Sequence, residues 1–155
     1  MNKFIIKQFN QKMTKITSFI VILLFSCTTS NSVVSHSSFL TIYKNAYGGT
    51  ELAGYLHITN NEEYIKLIES LKIDESEFNK LVTVNFKQND VIVLYQGEKS
   101  SGGFSIDIAS IKWEKETLLI NKLETFPKKG EKVTMAMSSP YCISVIPKAK
   151  NIKVL

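Results

Sequence analysis

The sequence DVIVLYQGEKSSGGFSID, residues 90–107, predicts two apolar strands connected by a glycine-rich loop. Residues 90–95 form a continuous apolar run, which is typical of a central strand covered on both faces. After the loop at 97–103, Phe104 and Ile106 alternate with polar residues, which predicts a second strand with one buried face. Gly102 and Gly103 at the end of the loop suit a connection that needs positive φ or a close backbone approach. These two strands therefore form the centre of the predicted domain.

Further strands are predicted on both sides of this centre, wherever short runs rich in β-branched and aromatic residues lie between turn residues. They cover 39–44, 52–58, 82–86, 118–126, 133–137, 141–146 and 152–155. A turn at 45–50 predicts that the first two of them pair as a hairpin. The alternation changes phase near Ala109 and Ser110, which predicts a β-bulge. The sequence does not predict which face of the strand at 118–126 is buried, because apolar residues occupy both odd and even positions there.

One amphipathic helix is predicted in the first half of the domain. Thr59 and Glu62 have the spacing of a capping box, and apolar residues follow at spacings of three and four over 64–71. The predicted helix covers 60–72, and residues 74–81 add a short second turn of helix. The fold class is therefore mainly β (α+β): an antiparallel sandwich or partly open barrel of about seven strands, with the helix covering one end or face.

The first 26 residues predict a signal peptide. A lysine-bearing stretch leads into a mostly apolar segment at 16–25, which as a helix spans only about half of a ~30 Å hydrocarbon core. The segment LFSC, residues 24–27, resembles the lipobox of bacterial lipoproteins, in which the cysteine is acylated and becomes the new N-terminus. We therefore expect Cys27 to carry the lipid. The alternative is an ordinary secretory signal with an incidental cysteine.

Residues 27–38 predict a flexible tether, because serine, threonine and asparagine dominate and cannot bury enough apolar surface to offset the entropy of ordering. His36 lies in the tether, and we expect it to be solvated rather than to bind a metal. No acidic run follows the cysteine, which favours a periplasm-facing anchor. The expected location is the bacterial cell envelope, with membrane contact through the lipid on Cys27.

The positive charge of the chain does not predict nucleic-acid binding. The formal net charge is +5, but residues 1–26 hold 4 lysines and no acid, so 15 lysines face 14 acidic residues in the remainder. The chain contains no arginine, the side chain best suited to bidentate recognition of phosphate or guanine. We therefore expect no nucleic-acid partner.

No catalytic constellation is visible in the sequence, and no cofactor or metal is expected. Neither His36 nor His57 has a carboxylate at ligand spacing, and His57 is predicted to be a half-exposed strand residue. Cys142 is the one thiol left after acylation, and we expect it to be a small core residue. Alternation along its strand directs Asp107 to solvent. We therefore predict that the protein is not an enzyme.

Three motifs occur together in the second half of the chain: Gly-Glu after a strand at 97–98, Ser-Gly-Gly-Phe at 101–104, and Ser-Pro-Tyr at 139–141. On these motifs, residues 82–147 resemble the PrcB C-terminal domain family. The family takes its name from a lipoprotein of a cell-envelope protease complex. The resemblance implies a non-catalytic envelope domain that binds or assembles a protein partner, such as an envelope protease.

The predicted contact surface is the glycine-bounded loop, since loops on a rigid β scaffold often carry binding residues. It comprises Glu98, Lys99, Ser100, Ser101, Gly102, Gly103 and Phe104, with Pro140 and Tyr141 as secondary candidates.

Two alternatives for the function stay open. The first is that the protein is a peptidase inhibitor that presents this loop, because cysteine-protease inhibitors of the chagasin type also present a Thr-Gly-aromatic loop on a β sandwich. The chain can also be a structural or small-ligand-binding lipoprotein. An exposed aromatic cluster beside the loop favours partner binding or inhibition, whereas a deep apolar cavity favours a small ligand.

Overall fold

The computed structural model describes residues 38–155, apart from positions 72, 74 and 82. The predicted signal peptide, Cys27, His36 and the tether up to residue 37 lie outside the described residues. In the described part, the elements follow in the order β1 (Leu40–Asn45), β2 (Gly54–Ile58), α1 (Asn61–Ser70), α2 (Glu75–Leu81), β3 (Asn89–Tyr95), β4 (Ser105–Glu114), β5 (Thr117–Thr125), β6 (Tyr141–Pro147) and β7 (Asn151–Val154).

The strands form two sheets that pack on each other as a sandwich. The four-stranded sheet has the order β1-β6-β3-β2, and the three-stranded sheet has the order β4-β5-β7. The predicted mainly-β sandwich of about seven strands is confirmed, and the sheets do not close into a barrel. The pairing is not antiparallel throughout, because β7 runs parallel to β5.

The predicted hairpin of the first two strands is wrong. β1 pairs with β6 and β2 pairs with β3, so two strands lie between them. The connection at 46–53 is not a tight turn, because it crosses the end of the sheet and binds another loop there. Gly49 N donates to the carbonyl oxygen of Ser139 at 2.9 Å.

β3 is buried on both faces, as its apolar run predicts. Ile92 and Leu94 belong to the core between the two sheets. Val91 and Val93 belong to a second core, which lies between the four-stranded sheet and the helices. The strand therefore separates two hydrophobic layers, and each layer takes alternate residues of the run.

Helix α1 covers the outer face of the four-stranded sheet. It begins after Asn60, whose side-chain Oδ1 accepts from Glu63 N at 2.9 Å. The cap is thus one residue later than the predicted box at Thr59. Tyr64 and Ile68 are buried in the second core, as the apolar spacing predicts. Neither helix in the described part of the chain is both long and apolar enough to span a membrane.

Two predicted strands do not form in the part of the chain that the structure describes. Within 83–86, Asn85 instead opens a turn, because its carbonyl oxygen accepts from Asn89 N at 3.0 Å, and β3 begins only there. Residues 133–137 lie beside a loop rather than beside a strand, and they are not part of any ladder. Alternation was a misleading signal in both places, since an alternating run becomes a strand only where a partner strand is available.

The predicted β-bulge is confirmed, because the register of β4 against β5 shifts between Ile108 and Ser110. Asp107, next to the bulge, is half-buried instead of pointing freely to solvent. It accepts hydrogen bonds from Thr41 Oγ1 at 2.7 Å and Lys44 Nζ at 2.8 Å, which connect β4 to β1. Burial raises the pKa of this carboxyl, but the hydrogen bonds outweigh burial and bring the pKa below its ordinary value.

Candidate functional site

Three loops meet at the end of the four-stranded sheet where β3 finishes. They are residues 46–53, 96–104 and 126–140, and we call their exposed face the three-loop surface. The middle loop bonds through its backbone to the first, since Glu98 N donates to Glu51 O at 2.9 Å. The middle loop is therefore held in place by its main chain on this side.

The third loop binds the other side of the middle loop. Lys99 and Ser138 exchange backbone hydrogen bonds of 2.7 and 2.9 Å, and Gly102 N donates to Thr134 O at 3.0 Å. Ser138 Oγ also donates to the carbonyl oxygen of Ser101, at 2.6 Å. Because these contacts use main-chain atoms of the middle loop, exposed side chains on that loop can be replaced without removing its supports.

Ser139 connects the first and third loops. Its Oγ accepts from Gly48 N and Gly49 N, each at 3.1 Å. Its own N–H donates to Ala46 O at 2.9 Å. The sequence predicts a bend at this position but gives no sign that one serine fixes a loop some ninety positions away.

The predicted contact residues do not all reach solvent. Glu98 and Ser100 are exposed, as expected. Lys99 is half-buried: its Nζ donates to Gln96 O at 2.8 Å and lies 5.9 Å from the centroid of the Phe104 ring. Lys99 therefore contributes to the shape of the loop as well as to its surface. Ser101 is likewise half-buried.

Gly102 and Gly103 fit where a side chain would not. A Cβ at Gly102 would overlap the hydroxyl of Thr134. Gly103 has a φ of +88°, and a Cβ there would lie 2.8 Å from Val133 Cγ1 and 3.1 Å from Pro127 Cβ. The glycines therefore allow the middle and third loops to approach closely.

Large apolar side chains face solvent on the three-loop surface. The four most exposed are Met135, Leu52, Met137 and Phe126, at 93, 80, 61 and 58%. Phe126 also packs edge-to-face on Phe104, with the ring centroids 6.0 Å apart. Sequence reasoning missed the two methionines, because the alternation at 133–137 predicted a strand with one buried face. The aromatic pair beside the loop is the feature that favours binding of a partner.

The secondary candidates lie beneath the surface rather than on it. Pro140 and Tyr141 are buried, and Tyr141 packs against Tyr43 and Tyr95 with ring centroids 6.0 and 6.3 Å apart. Burial raises the pKa of the Tyr141 hydroxyl. Both residues thus support the loops, and their side chains are not available to a partner.

Cys142 and His57 are not part of the three loops. Cys142 is fully buried, as predicted, and burial raises the pKa of its thiol to about 12. The raised pKa favours the protonated thiol at neutral pH, and burial limits its access to a substrate. His57 is half-buried, and its Nε2 lies 3.1 Å from Asp90 Oδ2, a partner that the sequence does not reveal. Among the described residues, no three His, Cys, Asp or Glu side chains are grouped to hold a metal.

A small apolar cleft opens between the sheets. It has a volume of about 240 Å³, and its walls include Tyr55, Leu94, Ile106 and Val154. This volume is below the roughly 300–1,000 Å³ of typical small-molecule sites. The cleft therefore gives little support to a small-ligand function.

Residues 91–147 match the model of a protein family described as PrcB C-terminal. The matched segment runs from β3 to the end of β6, so it contains the second and third loops of the three-loop surface. The predicted resemblance is thus confirmed over this range. No curated protein and no solved structure matches the chain.

Proposed function

We propose, from the match of residues 91–147 to the PrcB C-terminal family model, that the chain is a non-catalytic lipoprotein of the bacterial cell envelope that binds or assembles a protein partner through the three-loop surface. The observation that carries the proposal is the exposure of large apolar side chains on loops that are otherwise firmly bonded together. Burying such surface is favourable by roughly 25 cal/mol per Å². A protein that covered these side chains would therefore bind.

The charges around the apolar side chains favour a protein over nucleic acid or a charged membrane. The three loops contain four lysines and three glutamates: Lys99, Lys128, Lys129, Lys132, Glu51, Glu98 and Glu131. Apolar residues surrounded by mixed charge are typical of protein interfaces. A surface for nucleic acid would need a clear excess of positive charge.

The composition of the three loops supports binding rather than catalysis. Residues 46–53, 96–104 and 126–140 contain neither histidine nor cysteine. Histidine is the most frequent general acid and base, and cysteine is an intrinsically strong nucleophile. The loops lack both of these side chains, which favours contact with a partner over catalysis.

Replacing the two methionines of the three-loop surface is expected to release the partner. We would isolate the full chain from its own membranes with its bound proteins, as wild type and as Met135→Ser with Met137→Ser. Because both side chains are exposed, the change should alter the stability of the domain by no more than about 0.5 kcal/mol. The partner bound by the wild type should be absent from the double variant, as measured by quantitative mass spectrometry.

A matched control is available in Leu123→Ser, which removes a 53% exposed apolar side chain from β5. This variant should retain the partner. A second variant, Glu98→Ala with Ser100→Ala, tests the middle loop while leaving the structural Lys99 in place. Retention of the same partner by both surface variants, or its loss from the Leu123→Ser control, would rule out the three-loop surface as the contact.

Inhibition of a peptidase is the second candidate, favoured by the Phe104 and Phe126 rings beside a rigid loop. If the protein is an inhibitor, the purified chain must slow a purified peptidase at stoichiometric concentration. The double variant Met135→Ser with Met137→Ser must leave the rate of that peptidase unchanged. If the captured partner is a peptidase whose turnover is unchanged, the protein assembles with that peptidase rather than inhibiting it.

The lipid anchor has its own test. Cys27→Ser is expected to leave the chain as unprocessed precursor that takes up no labelled fatty acid, because acylation needs the thiol at this position. The control is Cys142→Ala, which removes the only other cysteine and should leave labelling unchanged. If Cys27→Ser is labelled like the wild type, the anchor is elsewhere.

A further inference from the structure

A basic cleft lies at the opposite end of β3 from the three-loop surface. It has a volume of about 500 Å³ and is lined by His57, Thr59, Asp90, Lys148, Ala149 and Lys150. Asp90 lies near the start of β3, whereas the loops meet beyond its last residue, Tyr95. The cleft is therefore separate from the three-loop surface.

The Asp90 carboxylate, which is the negative charge in the cleft, already has hydrogen-bond donors on both oxygens. The Asp90 side chain is 1% exposed, and its two oxygens accept from Lys148 Nζ at 3.0 Å, Ala149 N at 3.0 Å and His57 Nε2 at 3.1 Å. A buried carboxylate needs such donors to offset its loss of hydration. With its lone pairs used in this way, Asp90 is a poor ligand for a cation.

Two lysines and one threonine hydroxyl in the cleft can donate hydrogen bonds to a ligand. Lys148 uses two of its ammonium protons, on Asp90 Oδ1 at 3.0 Å and on Phe86 O at 3.1 Å, which leaves one for a ligand. Lys150 and the hydroxyl of Thr59 are exposed in the same cleft. Two lysines against one carboxylate give the cleft an excess of positive charge.

We propose that this cleft binds a phosphate group, carried either by a free anion or by a lipid headgroup. Two lysine ammonium groups and a threonine hydroxyl line the same cleft, and lysine binds phosphate as a point charge. The buried Asp90 fixes Lys148 and His57 around the site, so the donors are held in place before the ligand arrives.

The test is a titration of the purified full chain with inorganic phosphate, and in parallel with dihexanoylphosphatidylglycerol below its micelle concentration. Chemical shifts of backbone amides and of the His57 ring report binding. Saturable changes are expected at Thr59, His57 and Lys150. Lys150→Gln should weaken binding by about fivefold, since it removes one of the charged contacts. The matched control Lys112→Gln removes an exposed lysine from β4 and should leave the affinity unchanged.

Each outcome has a defined meaning. Binding of inorganic phosphate that depends on Lys150 supports a free anion as the ligand. Binding of the lipid alone, with the same dependence, supports a headgroup. The proposal is refuted if neither probe produces saturable changes in the cleft, or if Lys150→Gln and Lys112→Gln bind alike. None of these results bears on the three-loop surface, because that surface is tested by other variants.

Discussion

Gly97→Ala is expected to lower the free energy of unfolding by about 2–4 kcal/mol, through a backbone conformation and a contact that both require glycine. Gly97 has a φ of +79°, in the left-handed region that side chains disfavour. A Cβ at this position would also lie 2.8 Å from Ala53 N and 3.1 Å from Glu51 O. Both are backbone atoms of the first loop, so neither can rotate away. Urea denaturation of the purified variant measures the loss.

A second glycine separates the two causes. Gly130 has a φ of +84°, but a Cβ there would meet no atom within 4 Å. Gly130→Ala therefore carries only the conformational penalty, and it should cost about 1 kcal/mol. The difference between the two alanine variants measures how closely the first and middle loops approach. Equal losses would show that the contact with the first loop adds nothing to stability.

Leu118→Ala is expected to cost about 2–5 kcal/mol, because it leaves a cavity between the two sheets. The side chain is fully buried on β5 and packs in the core that also contains Ile92 and Leu94. Thermal or urea unfolding of the purified chain gives the loss.

The control for this change lies on the same strand. Leu123 is 53% exposed, so Leu123→Ala removes the same atoms from a position that buries few of them. Its cost should stay within about 0.5 kcal/mol. A similar loss for both variants would mean that the buried face of β5 is assigned wrongly.

The strand β5 also shows where sequence patterns fail. Leu118, Leu119 and Ile120 are consecutive, and all three are buried. Alternation does not give the inward face here, because Leu119 is buried although only Leu118 and Ile120 belong to the core between the sheets. In β3 the consecutive buried residues produced a clear prediction, since its apolar run is longer and ends at a glycine-bounded loop.

Local sequence patterns do not predict which strands pair with each other. The apolar runs of β1, β2 and β6 are visible in the sequence, but their neighbours in the sheet depend on contacts between distant segments. The candidate site shows the same limit. The middle loop could be predicted from its glycines, whereas the exposure of Met135 follows from the absence of a partner strand beside it. Likewise, the contact of His57 with Asp90 requires β2 and β3 to be paired.

The position of β6 determines the order in which the domain can fold. β6 is the penultimate strand in the chain, yet in its sheet it lies between β1 and β3. Leu40, near the start of the described chain, pairs with Val145, so the loop that must close is nearly the whole domain. High contact order of this kind slows folding, because the entropy of closure is lost before the contacts form. A chain synthesised from its N-terminal end therefore keeps β1 unpaired until β6 has been made.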